Sequence, residues 1–189
     1  MGLYSPLPQS GKSTVAQILV EQGWRVIPFA GTLKRMTQLM LADLGQTPEE
    51  IRHSMGAGKE EPCVLLPEIT PREIMQRLGT DFGRRLIDSE LWVRCWKGQT
   101  IRNLGNGIPV IADDLRFPNE AAAVRGLGGL LIRVLRPGGG STAHILHASE
   151  GGLDEWDFDH TIVNDGSLED LQAQVLELQL TLSQATCHA

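Results

Sequence analysis

Residues Pro8–Val15 read PQSGKSTV and run into a helical stretch, Ala16, Leu19 and Val20, that ends at Gly23. Gly-Lys-Ser at a helix start is the distal part of a Walker A phosphate loop. The first N–H groups of a helix lack intrahelical acceptors and lie at the positive end of its dipole, so they attract an anion. In that pattern Gly11 lets the backbone come close and Lys12 reaches the β- and γ-phosphates. The Ser13 hydroxyl ligates Mg²⁺, and Thr14 is placed for the α-phosphate. The full pattern G-x-x-x-x-G-K-[ST] asks for glycine at position 6, where this chain has Pro6. Pro6 and Pro8 each lack an N–H and so remove a donor from the cradle. The preceding apolar stretch, Met1–Tyr4 (MGLY), reads either as a short first strand or as the later part of one. The competing reading is a Gly-Lys turn at an ordinary helix N-terminus.

Outward from that loop, short apolar runs alternate with helical ones, the signature of an α/β fold with a parallel sheet. Strands are expected at Arg25–Phe29, Ile108–Ala112, Leu130–Leu135 and Thr161–Val163. They are apolar rather than alternating, as in strands covered on both faces. A loop at the carboxyl end of the first such strand is where nucleotides bind in these folds.

Helix starts are legible. Thr47-Pro48-Glu49-Glu50 and Thr70-Pro71-Arg72-Glu73 each place a Thr N-cap before Pro, with Glu at the third helical position. Ser167-Leu168-Glu169-Asp170 opens the last helix similarly, and Leu168, Leu171, Val175, Leu178 and Leu182 form its packing face. Two loops are expected to be mobile, Gly56–Pro62 (GAGKEEP) and Pro137–Thr142 (PGGGST). No interdomain linker stands out, so a single domain over residues 1–189 is expected.

A second phosphate-chemistry feature is Val110-Ile111-Ala112-Asp113-Asp114, an apolar strand ending in acids. An Asp at that place beside a phosphate loop can hold Mg²⁺ through water, a Walker B-like arrangement. A helix-capping acid is the alternative. Phosphoryl transfer asks mainly for cations around the equatorial oxygens, and the guanidinium fork suits phosphate. The candidate arginines are Arg35, Arg72, Arg77, Arg84, Arg85, Arg116, Arg133 and Arg136; Arg84, Arg116 and Arg136 are the sharpest, and many of the others are expected to be solvated.

The composition narrows the partners. A net charge of −6 with no Lys/Arg block disfavours long nucleic acid. Cys63, Cys95 and Cys187 are odd in number and widely spaced, which reads as reduced thiols in a cytoplasmic setting; Cys187-His188 reads as a frayed tail. No run approaches the ~20 apolar residues of a membrane span, and no signal-peptide pattern is seen.

Read together, SGKSTVA (Ser10–Ala16), FAGTLK (Phe29–Lys34), LGTDFGR (Leu78–Arg84), DDLRFPNEA (Asp113–Ala121), HASEGGL (His147–Leu153) and IVNDGSLEDL (Ile162–Leu171) resemble the phage-type deoxynucleoside monophosphate kinases. The resemblance runs from about Leu3 to Leu171, and DLRFPNEA and the Asn-Asp-Gly string are its most specific parts. It implies a three-layer P-loop sandwich with about five parallel strands flanked by helices, a short lid, ATP, Mg²⁺ and a deoxynucleoside monophosphate acceptor. It implies that Ser10, Gly11, Lys12, Ser13 and Thr14 hold ATP, with Asn164 near the adenine. Asp114 would hold Mg²⁺ with Ser13, and Arg116 the phosphates. Lys34 and Arg84 match the acceptor side, and Arg136 the root of a lid over about 136–150, closed by His147, Ser149 and Glu150. Trp92, Trp96 and Phe82 lie near Arg84 in sequence; Trp92 is the candidate for stacking on the acceptor base, with core packing the commoner fate of a tryptophan. Departures are Pro6 for glycine and Ser13 where the family often has Asp.

Two rivals remain open. Phosphomevalonate kinase of the animal type looks similar around the loop and the Asp-x-Arg string and differs in acceptor. A non-catalytic nucleotide-binding protein with a degenerate loop would bind ATP without turnover. Expected partners are small molecules, ATP and a nucleoside monophosphate, with no membrane; a homodimer is left open.

Overall fold

The computed structural model describes residues 1–63, 66–137 and 152–186, and the side chains of the last helix as far as residue 181. In chain order its elements are β1 (Gly2–Tyr4), α1 (Lys12–Glu21), β2 (Arg25–Val26), α2 (Gly31–Asp43), α3 (Pro48–Met55), a 3₁₀ turn (Ala57–Glu60), α4 (Pro71–Gln76), a π-helix (Arg77–Ile87), α5 (Leu91–Gly105), β3 (Val110–Ile111), α6 (Pro118–Gly126), β4 (Leu131–Leu135), β5 (His160–Val163) and α7 (Leu168–Thr186). They form two compact units, Met1–Pro28 with Gln99–Ala189, and Phe29–Gly98.

The first unit is the α/β part. Among the described residues its strands pair in parallel: β1 with β4, β4 with β5, and β2 with β3. A bridge from Gly2 to Ala112 carries the pairing from β3 towards β1, through Leu3 N–H to Ala112 O at 2.7 Å and Ala112 N–H to Met1 O at 2.9 Å. The expected strands are present but shorter at β2 and β3, where the ladder runs on as single bonds such as Ile27 N–H to Ile111 O. One buried cluster joins strand residues Leu3, Ile111, Ile132, Val134 and Ile162 to Val15 and Leu19 of α1 and to Leu171, Val175 and Leu178 of α7. Each fully buried Leu or Ile contributes about 1.5–3 kcal/mol relative to exposure. That explains the unbroken apolar runs: strands of this sheet meet side chains on both faces.

The second unit is helical. Thr47 and Thr70 cap α3 and α4, each accepting from the amide of the Glu three residues on, while that Glu accepts from the Thr amide. Leu41, Cys63 and Ile74 form a small core with Met40, Ile51, Met55, Ile69 and Leu78 against it. Gly56–Pro62, expected as a loop, contains the 3₁₀ turn. A Cβ on Gly58 would stand 2.5 Å from the His53 ring, so a glycine is what lets that turn close down on α3.

The π-helix is the element the sequence pattern did not announce. It contains the LGTDFGR string, and Gly79 and Gly83 are its buried residues. The Trp92 indole lies where a Cβ on Gly83 would be, 2.4 Å from its ring, and donates its N–H to Gly79 O at 2.8 Å. Trp96 stacks on Phe29 with centroids 4.4 Å apart.

Leu168 departs from the expected α7 face: it is 52% exposed, whereas Leu171, Val175 and Leu178 are buried. It lies on the same stripe in the helix's first turn, before the stripe reaches the core. Cys63 and Cys95 are free thiols. Cys187, His188 and the residues expected to form and close the lid beyond Pro137, namely Gly138–Gly140, His147, Ser149 and Glu150, lie outside the described residues. Among the described residues no helix is long and apolar enough to cross a membrane.

Candidate functional site

The loop between β1 and α1 is short and locally braced. Ser5 Oγ accepts from Leu7 N–H at 3.3 Å, and Ser10 is 2% exposed. Gln9 at φ 57° and Gly11 at φ 102° both take the left-handed conformation, which swings successive peptide planes over. The helix then starts with Val15 N–H on Gly11 O at 2.9 Å. Gly11, at its N-cap, brings no capping side chain, and no acidic residue lies in the first turn. The amides of Lys12, Ser13 and Thr14 therefore open the helix at the positive end of its dipole without a cap from Gly11.

Lys12 is half-buried, and its amine lies 3.5 Å from Ser10 Oγ. Burial pushes its pKa below the ordinary lysine value and the Arg116 charge adds to that, while Asp113 and Asp114 pull the other way. Lys12, Asp113, Asp114 and Arg116 thus share one electrostatic neighbourhood, although about a hundred residues separate Lys12 from the other three. Strand order accounts for this: Ala112 bridges to β1, so the acids that follow β3 emerge beside the loop that follows β1.

The Asp113–Glu120 segment is held from behind. Leu115 is 1% exposed and anchors it in the core, while Arg116 is exposed. The carboxylate of Glu120, itself 3% exposed, accepts from Arg116 N–H at 2.9 Å and Phe117 N–H at 3.2 Å. Sequence reasoning passed over Glu120. The signal was present, because Phe117-Pro118-Asn119-Glu120 repeats the cap-Pro-x-Glu spacing of Thr47 and Thr70 without a capping hydroxyl.

Two further expected residues meet the loop through its carbonyls. Arg136 donates to Gln9 O at 3.4 Å, and Asn164 donates its carboxamide N–H to Ser10 O at 3.0 Å. A Cβ on Gly11 would lie 2.4 Å from that carboxamide nitrogen.

The remaining candidates belong to the helical unit. Lys34 is exposed in the first turn of α2, and Arg84 is half-buried in the π-helix. Trp92 is 4% exposed with its N–H committed to Gly79, which favours the packing alternative over base stacking. Several of the candidate arginines are tied into the fold: Arg72 to Glu60, Arg85 to Asp81 at 2.9 Å, and Arg133 over the Phe158 ring at 4.4 Å.

Among the described residues no group of three or more His, Cys, Asp or Glu side chains is placed to hold a metal by itself. The donors near the loop are the Ser13 hydroxyl and the Asp113 and Asp114 carboxylates. That set suits Mg²⁺, which takes one or two protein oxygens and completes its shell with phosphate oxygens and water.

A family model described as deoxynucleotide monophosphate kinase matches residues 58–175. The chain is similar to the deoxynucleotide monophosphate kinase of Enterobacteria phage T4, 36% identical over 55% of this chain and 43% of the phage protein. It is similar to the deoxynucleoside-5'-monophosphate kinase of Escherichia phage T5, 32% identical over 51% of this chain and 40% of that protein. A protein of Acanthamoeba polyphaga mimivirus, provisionally named deoxynucleotide monophosphate kinase, is 30% identical over 88% of this chain and 89% of its own length. The matches thus span less than half of either phage relative.

Proposed function

The chain belongs to the deoxynucleotide monophosphate kinase family, and from that we propose that it moves the γ-phosphoryl group of ATP, with Mg²⁺, onto the 5′-phosphate of a deoxynucleoside monophosphate. The observation that carries the reading is the shared field of Lys12, Asp113, Asp114 and Arg116 at the start of α1.

Each part then has a physical task. The amides of Gly11–Thr14 and the Lys12 ammonium bind the phosphates of ATP; an arriving anion offsets the burial that disfavours the lysine's charge. Ser13 and Asp114 are the residues that would hold Mg²⁺, which neutralises charge spread over the β- and γ-phosphates. Arg116, exposed and with its backbone held by Glu120, presents a guanidinium to the oxygens on which charge develops. Arg136 supplies a second cation from the end of β4. Lys34 and Arg84 are the acceptor-side cations, on the strength of the family strings that contain them. Trp92 serves as packing for the π-helix that carries Arg84. Pro6 leaves the early loop with one donor fewer, so binding rests on the distal amides.

The same reading takes the two sheets of the first unit as one five-stranded parallel sheet in the order β2-β3-β1-β4-β5, supported by the Gly2–Ala112 bridge. It takes the whole chain as a single kinase domain acting in the cytoplasm on small molecules, without nucleic acid.

The test is ADP release from ATP and Mg²⁺ across a panel of deoxynucleoside and nucleoside monophosphates and phosphomevalonate. ADP formation dependent on a deoxynucleotide, cut at least about a hundredfold in Lys12→Ala, supports the reading. Turnover only with phosphomevalonate, ATP binding without turnover, or a fully active Lys12→Ala overturns it.

A further inference from the structure

We infer that Asn164 is a positioning residue for the phosphate loop: its carboxamide turns the Ser10 carbonyl out of the cradle and thereby aims the Gly11 amide into it. This rests on the proposed ATP site and assigns Asn164 a role other than contact with the adenine.

The argument starts from the peptide plane. In a trans peptide the C=O of one residue and the N–H of the next point in opposite directions. Ser10 O and Gly11 N–H belong to one such plane. Holding the oxygen on one side therefore fixes the direction of the amide on the other. Asn164 holds it at 3.0 Å. A donor on the carbonyl also polarises the plane, which strengthens the amide as a donor in turn.

Steric fit points the same way. Gly11 lies flush on the Asn164 carboxamide, with no room for a Cβ between them, and takes a φ of 102° that favours glycine. Asn164 is itself anchored at the end of β5 by its own N–H on Leu135 O at 2.7 Å. The carboxamide is thus delivered by the sheet rather than by a loose side chain. Arg136 acts on the preceding plane in the same sense, through Gln9 O at 3.4 Å. A cradle for an anion needs its carbonyls facing out, and two side chains from the ends of neighbouring strands face two successive carbonyls of this loop.

A residue on the base and a residue behind the loop predict different binding patterns. The decisive measurement is calorimetry on the full chain with Mg·ATP, Mg·GTP and Mg·tripolyphosphate, which has no base. Asn164→Asp, which sets a carboxylate oxygen against the Ser10 carbonyl, is expected to weaken all three by about tenfold to a hundredfold and by a common factor, since a mispaired charged group is involved. Asn164→Ala, which opens the site to water, is expected to weaken all three by about threefold to tenfold and serves if the Asp variant does not fold. KM for the acceptor is expected to stay unchanged, as is thermal stability of the Ala variant to within a few degrees. Loss of ATP or GTP affinity with tripolyphosphate unaffected would put Asn164 on the base and overturn the inference. So would unchanged binding of all three, or a loss that tracks only with unfolding. A wild-type chain that binds none of the three would instead remove the ATP site itself.

Discussion

Glu120 is the residue whose role is clearest from its surroundings. A carboxylate that is 3% exposed is costly unless its oxygens are satisfied, and here it accepts from two consecutive amides at the turn into α6. One of those amides belongs to Arg116. Replacing Glu120 by Ala leaves both N–H groups without that acceptor, at about 1–3 kcal/mol, and frees the Arg116 backbone. The expected result is a lower thermal midpoint together with a fall in kcat at unchanged KM for ATP, partly restored in Glu120→Gln, which keeps one acceptor oxygen. Thermal melts alongside steady-state kinetics of both variants check it. Lys12, Ser13, Asp114 and Arg116 stand out as single residues because their type and local spacing mark them, and the structure adds that Arg116, Asp113 and Asp114 act on the Lys12 charge. Glu120 was readable only as a helix cap, and its grip on Arg116 emerges from the cap being buried.

Among the elements, the capped helices follow directly from three- and four-residue spacings. The π-helix Arg77–Ile87 does not, because its widened turn goes with a neighbour pressing on its glycines. Gly83 yields the space that the Trp92 indole fills. Gly83→Ala would drive a methyl to within 2.4 Å of that ring, and overpacking of this kind costs about 1–3 kcal/mol. Gly98 makes the contrast: it lies exposed inside α5, and a Cβ there meets nothing within 4 Å. Gly98→Ala is expected to stabilise the chain by about 0.5–1 kcal/mol through helix propensity. Denaturant midpoints moving in opposite directions for the two substitutions would confirm the account, and parallel shifts would refute it.

At the scale of the whole molecule, acid is the informative stress. Glu50, Glu73 and Asp170 are held below the ordinary carboxylate range chiefly by the backbone N–H of the capping residues Thr47, Thr70 and Ser167, and Asp88 by the Glu90 amide. A folded pKa below the unfolded one adds stability that is fully present above the unfolded value, and that is lost as pH falls through the folded one. The thermal midpoint is therefore expected to hold from pH 7 to about 5 and to drop below about pH 4. In the combined Glu50→Gln, Glu73→Gln, Asp170→Asn variant that drop is expected to be shallower; an identical acid limb would sink the assignment. By itself the sequence determined the parallel α/β character of the first unit, the helix starts at Pro48, Pro71 and Leu168, and the start of α1 just after Gly11, since periodicity, caps and helix ends act over a few residues. The tertiary structure alone decided that Asn164 reaches Ser10 across 154 residues of chain, that Glu120 fastens the Arg116 amide, and that the Trp92 indole fills the space left by Gly83. Those outcomes depend on which strand ends and glycine surfaces are brought into contact, and no local pattern encodes that.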